Sequence, residues 1–126
     1  MAYTILKSDG TVLTTIADGT INTTKTSLGL PGRNYAGYGE VLDTNLVHVV
    51  ENFADSVPPS NPLQGQLWFD TNTMTLRVCP ADYTVLASDW YTLTSTSNTG
   101  NTTFGSIIVT GNITANNCTL TNDLSL

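Results

Sequence analysis

Gly65-Gln66-Leu67-Trp68-Phe69-Asp70-Thr71-Asn72-Thr73-Met74-Thr75-Leu76-Arg77-Val78-Cys79 is the stretch whose reading decides the fold. Leu67 and Phe69 alternate with Gln66, Trp68 and Asp70, and Met74, Leu76 and Val78 alternate with Thr75, Arg77 and Cys79. Period-two alternation on both sides of a polar connection predicts a β-hairpin. Asp70-Thr-Asn-Thr73 is the connection, because Asp and Asn side chains cap turns and tolerate left-handed backbone. Before this hairpin the chain reads as a small head with one helix. After it the sequence passes into Thr, Asn and Gly with short β-patterned runs, which points to a part of an assembly rather than a catalyst.

Upstream, Tyr3-Thr-Ile-Leu-Lys7 and Thr11-Val-Leu-Thr-Thr-Ile16 flank Ser8-Asp9-Gly10. Asp-Gly between alternating runs is a strong short-range hairpin signal. A second Asp-Gly, Asp18-Gly19, ends the return strand, and Thr20-Ile21-Asn22-Thr23 is expected to extend the meander. From Leu28 to Gly39 five glycines or prolines exclude a helix or a central strand. Leu28, Leu30, Tyr35 and Tyr38 give this segment apolar anchors, so an ordered loop is expected. Its glycines match neither phosphate-binding spacing, and no Lys follows them.

Glu40 to Ala54 carries a helical period. Leu42, Leu46, Val49, Val50 and Phe53 share a face, Val47 widens it, and Asp43, Thr44, His48, Glu51, Asn52 and Asp55 fall opposite. A helix of about 15 residues is marginal alone, so this face is expected to pack on the hairpins. Val57-Pro58-Pro59 ends it. Ser56 to Pro62 is stiff and extended and delivers the chain into the hairpin at Gly65. Pro80-Ala-Asp82 breaks the hairpin's second strand. Tyr83-Thr-Val-Leu-Ala87, Ser88-Asp89 and Trp90-Tyr-Thr-Leu93 read as one or two further strands, with Trp68 and Trp90 covering the sheet.

Ser95 to Gly100 is low-complexity linker. Beyond it Ile107, Val109, Ile113 and Ala115 alternate in phase, then Cys118, Leu120, Leu124 and Leu126 continue one residue out of phase. Such a slip predicts a turn or bulge. Turn formers recur six apart at Gly105, Gly111, Asn117 and Asp123. One chain of such short strands buries no apolar row, whereas several chains wound together do. The alternation stops in mid-pattern at Leu124-Ser-Leu126, so a longer shaft is expected.

Composition narrows the function. The 126 residues have the length of one ordinary domain, with 40% hydrophobic but only 11% charged residues. A usual domain is about one quarter charged, so much of the surface is expected to lie against other chains, where charge is depleted. The net charge is −6, and Lys7, Lys25, Arg33 and Arg77 are scattered, which argues against nucleic acid as a ligand. No apolar run approaches the roughly 20 residues that span a bilayer. Met1 to Lys7 lacks the basic and apolar regions of a secretory signal, so assembly from the cytoplasm is expected. Cys79 and Cys118 form no C-x-x-C pair and are expected to be small buried hydrophobes. Four Asn-x-Thr sites, at Asn22, Asn101, Asn112 and Asn117, follow from a composition rich in Asn and Thr.

Candidates for chemistry are few. His48 is the single histidine, with Thr44 and Glu51 as helical neighbours, and a hydrogen-bonded surface or interface role is expected for it. Glu40 with Asp43, or Glu51 with Asp55, form carboxylate pairs on the polar face of a short helix, where they are ordinarily solvated. General acid–base chemistry needs a cleft and separated pKa values. No catalytic, cofactor-binding or metal-binding residues are assigned, and no enzyme activity or cofactor is expected.

Three stretches together resemble the N-terminal region of tail-fibre proteins of tailed, contractile-tailed bacteriophages. Gly29-Leu-Pro-Gly-Arg-Asn-Tyr-Ala-Gly-Tyr-Gly-Glu40 resembles the loop these proteins carry before a helix such as Leu46 to Ala54. Pro59-Ser-Asn-Pro-Leu-Gln-Gly-Gln-Leu-Trp-Phe-Asp-Thr71 is similar to their Pro-rich approach to a Gly-x-Leu-Trp-Phe/Tyr-Asp hairpin. Gly111-Asn-Ile-Thr-Ala115 is similar to the repeats of fibre shafts. The resemblance implies a homotrimeric structural virion protein, assembled in the host bacterial cytoplasm. Its head would dock on the baseplate or tail, and its shaft would project in host adsorption.

The expected fold is mainly β with one α-helix. It comprises an α+β head (1–57), a β-hairpin/meander module (58–94), and a linker leading into an intertwined trimeric β-shaft (95–126). Leu30, Arg33, Tyr35 and Tyr38 are the expected contacts to the baseplate or tail. Leu42, Leu46, Phe53, Ile107, Val109, Ile113, Leu120 and Leu124 are those of the trimer. The alternative is a carbohydrate-binding adhesin-type module that stacks sugar rings on Trp68, Trp90 and Tyr91.

Overall fold

A computed structural model describes residues 1–95, 105–119 and 121. Among these the chain is mostly β, in three small antiparallel sheets, with a single α-helix. Strand β1 (Tyr3–Leu6) pairs with β2 (Val12–Ile16), with a register shift at Ile5/Leu6. The expected Asp9-Gly10 turn joins them. The Asp9 carboxylate accepts from Thr11 N at 3.0 Å and Thr11 Oγ1 at 2.7 Å, and Gly10 adopts the left-handed φ of 87° that a side chain disfavours.

The meander does not continue as expected. After the turn at Asp18-Gly19, β3 (Ile21–Asn22) pairs with β4 (Leu30–Pro31), inside the segment read as an ordered loop, and not with β2. Gly32 is what lets this second sheet lie against the first. A Cβ there would sit 2.4 Å from the Ala17 carbonyl oxygen and 2.9 Å from Ile16 Cγ2, and Gly32 N donates to Thr20 O at 2.7 Å. Ile16, which Gly32 covers, is the buried hydrophobe of the head.

Helix α1 spans Tyr38–Val50, beginning earlier and ending earlier than Glu40 to Ala54. Gly37, left-handed at φ 82°, starts it. Asn52 and Phe53 end it, both left-handed at φ 50° and 53°. That conformation is costly for Phe. It turns the Phe53 ring into the core and lays the following residues along the next sheet.

The Gly65–Cys79 hairpin is present as β5 (Leu67–Asp70) and β6 (Thr75–Val78), with β7 (Tyr91–Ser95) completing the order β5-β6-β7. Asn52 and Asp55 cover the free edge of β5: Phe69 N donates to Asn52 O at 2.9 Å, and Thr71 N to Asp55 O at 3.0 Å. Met74, expected in the second strand, is instead the left-handed residue of the connection, at φ 53°. Tyr83 to Asp89 forms no strand; it turns and passes through one 3-10 turn, Ala87–Asp89.

The inward face of β5 is the one that carries Trp68 and Asp70. Trp68 and Asp70 are buried, while Leu67 and Phe69 are half-buried. Trp68, Cys79 and Trp90 form the core, with Phe53 and Ala87 packed on it. The indoles meet edge to face, centroids 5.4 Å apart, a favoured arrangement. Each indole N–H is satisfied, Trp68 by Asp55 O at 3.2 Å and Trp90 by Thr84 O at 3.3 Å. Arg77 lies opposite Trp68 in register, 5.7 Å from its ring centroid, and donates from Nε to Asp70 Oδ2 at 3.1 Å. Asp70 therefore enters the interior with a partner, and Asn72 N caps its other oxygen at 2.9 Å.

Hydrogen bonds cross the expected boundary at residue 57. Gln66 Nε2 donates to Ser27 Oγ at 2.8 Å, Tyr83 OH to Lys25 O at 3.1 Å, and Lys7 pairs with Asp82. Residues 105–119 form no helix or strand and are exposed, with bends at Gly105, Thr110-Gly111 and Asn116. Gly105 and Gly111 of the expected turn formers bend, but Asn117 does not, its neighbour Asn116 bending instead; Asp123, Leu120 and Leu124 lie outside the described residues. Cys79 is buried as expected, but Cys118 is exposed, because nothing among the described residues packs on its segment. Among the described residues no helix is long and apolar enough to cross a membrane.

Candidate docking surface

Helix α1 is held to the head by a side about 100° around from the expected one. Its inward positions are Val41 and Asn45, one turn apart and half-buried. The Asn45 amide pairs with the backbone of Gly29 in both directions: Gly29 N donates to Oδ1 at 3.1 Å, and Nδ2 donates to Gly29 O at 2.7 Å. Gly29 allows this approach, since a Cβ there would lie 3.0 Å from Val41 Cγ1 and 3.2 Å from Ile21 Cδ1. A polar clamp thus replaces the expected apolar seam.

The apolar stripe consequently faces outward. No residue of α1 is buried. Leu46 is 63% exposed and Val50 81%, and Leu42, Val47 and Val49 are exposed beside them. Below Leu42 the stripe runs into an open cleft of about 430 Å³. Tyr3 and Ile5 of β1, Leu30 and Pro31 of β4, and Tyr38 and Leu42 of α1 line it. Cleft and stripe share Leu42, so they form one continuous apolar surface. Exposed apolar patches beyond a few hundred Å² mark interaction sites in soluble proteins.

The site residues read from the sequence regroup on this surface. Leu30 and Tyr38, expected to meet the baseplate or tail, and Leu42 and Leu46, expected at the trimer axis, lie together. Arg33 is exposed and Tyr35 half-buried outside the cleft lining. Phe53 packs on its own chain's core. Ile107, Val109 and Ile113 are exposed on the 105–119 segment. Tyr3 and Ile5 were not among the sequence candidates, because only the β1–β2 fold brings them beside Leu30.

His48 lies tilted against Phe53, ring centroids 6.0 Å apart. The Asp55 carboxylate accepts from its neighbour Ser56 N at 2.6 Å. The side-chain hydrogen bond from Lys7 lowers the pKa of Asp82, and the same bond raises that of Lys7. Hydrogen bonds from Thr11 lower the pKa of Asp9. Among the described residues no group of three or more His, Cys, Asp or Glu is placed to hold a metal ion. Trp68 and Trp90 are 0% and 3% exposed. They offer no face to a sugar ring, and of the expected stacking platform only Tyr91 is at the surface. A scan of protein-family models and searches of curated proteins and solved structures found no match to this chain.

Proposed function

We propose that this chain is the N-terminal part of a bacteriophage tail-fibre protein, a structural virion component that forms a homotrimer and carries no catalytic centre. Its head docks on the baseplate or tail, and its 105–119 segment begins the shaft used in host adsorption. One observation carries this reading: residues 105–119 expose Ile107, Ile108, Val109 and Ile113 in a segment without any strand. Apolar side chains left in water forgo about 25 cal/mol for each Å² that could be buried. Three parallel copies, bent in step every six residues, cover these rows against one another, as stacked repeats do. An acidic chain with four scattered cations suits assembly with protein rather than nucleic acid.

The test is immunogold labelling of purified phage particles with antibody raised against the recombinant chain. Label at the tail or baseplate is expected. Label on capsids alone, or only on unassembled material, contradicts the reading.

A further inference from the structure

We propose that the continuous surface from the Tyr3–Leu30 cleft along the outer face of α1 docks a different protein. That partner presents an apolar ridge bordered by Lys or Arg. The inference rests on the docking half of the reading above and specifies the chemistry of the partner.

The surface is concave at one end and ridged at the other, so its occupant must fill a cleft lined by Leu30, Tyr38 and Leu42 and also lie along Leu46, Val49 and Val50. Its border along α1 is acidic, while at the cleft end the exposed Arg33 lies between the lining residues Gly32 and Asn34. At 3.6 residues per turn, Asp43 adjoins Val50 and Val47, and Glu40 and Glu51 follow beyond them; the helix contains no Lys or Arg. Complementary potentials steer encounter and fix register, whereas like charges across an interface are penalised.

A second copy of this chain supplies the wrong charge. Of its four cations, Lys7 is paired with Asp82 and Arg77 with the buried Asp70. Lys25 and Arg33 remain, against a net charge of −6, and symmetric packing of α1 on α1 would bring acidic borders together. The charge pattern therefore selects a basic partner.

The experiment uses the full chain and two synthetic helical peptides. One carries a Leu ridge bordered by Lys, the other the same ridge bordered by Glu. Binding is read by fluorescence anisotropy at low and high salt. The Lys-bordered peptide should bind at least about tenfold more tightly than its twin, with the difference shrinking in salt. Leu46→Asp should abolish binding without changing the solution mass, and Asp43→Lys with Glu51→Lys should reverse the preference. These side chains are exposed and make no hydrogen bond among the described residues, and the melting curve verifies folding. Equal binding of both peptides, no binding of either, or an unreversed preference overturns the proposal. A Leu46→Asp chain of smaller mass also overturns it, because the surface is then covered by copies of itself. That result would leave the trimeric reading standing.

Discussion

Two glycines show how differently one residue type acts at two places. Gly32 is pressed against the Ala17 carbonyl, whereas a Cβ on Gly39 meets nothing within 4 Å. Gly32→Ala should therefore cost about 1–3 kcal/mol, the range for overpacking. Gly39→Ala, inside α1, should add roughly 0.5–1 kcal/mol by restricting the unfolded chain and favouring helix. Urea denaturation of both variants checks the contrast. Asp70 makes the second prediction at this scale. Its Arg77 partner is only 16% exposed, and removing one member of a buried pair strands the other. Asp70→Ala should lose about 3 kcal/mol by the same assay, moderated by the 3.3 Å contact from Arg77 to Thr92 Oγ1.

Local chemistry was the legible part at this scale. The Asp9-Gly10 turn closes within four residues through the Asp9 carboxylate, so its sequence contains its whole cause. The left-handed Met74 was not legible, because no side-chain property of Met asks for φ 53°. The strand pairing around it imposes that angle.

Among the elements, α1 carries the main lesson. Its apolar period was readable, and a helix with this face exists, but the face points away from the fold. Asn45 and Gly29 are sixteen residues apart in sequence, so no periodic signal announces the clamp that sets the rotation of the helix. Alternation alone left the inward face of β5 open. Leu67/Phe69 and Trp68/Asp70 are both plausible inward pairs, and the Trp68–Trp90 contact with the Arg77–Asp70 bond decides between them.

The orientation of α1 can be tested by adjacent substitutions. Asn45→Ala removes both hydrogen bonds to Gly29 and should cost about 2 kcal/mol. Leu46→Asp, one residue later, should stay within about 0.5 kcal/mol of the parent. If Leu46 faced the core the order would reverse, and paired denaturation curves read it directly.

Over the whole molecule the chain is held together by few buried groups and by polar ties between distant segments. Lys7 and Asp82 are seventy-five residues apart, and their pairing gives the fold a pH response. The folded pKa of Asp82 is lowered, so the unfolded state binds the proton more strongly. The contribution is present above the ordinary Asp value of about 3.9 and is lost as pH falls through the depressed one. Lys7 is raised, so its contribution holds below about 10.4 and fades above its raised value. Asp82→Asn should flatten the acid side of the melting temperature below about pH 4 relative to the parent. Asp9, lowered by Thr11, retains a slope of the same sign.

The apolar rows of 105–119 are exposed in one chain, and the proposed trimer covers them. Sequence patterning picked out Ile107, Val109 and Ile113 because alternation is local, although these residues form no strand. It did not reach the outward turn of the apolar face of α1, which the contacts of Asn45 with Gly29 set.

The most direct measurement is the solution mass of the full chain by light scattering, beside a variant carrying Ile107→Asp, Val109→Asp and Ile113→Asp. The account predicts three times the 13.4 kDa chain mass for the parent and the single-chain mass for the variant, with the head's melting transition retained. A parent that runs as a single chain, or a variant that remains a trimer, would contradict it.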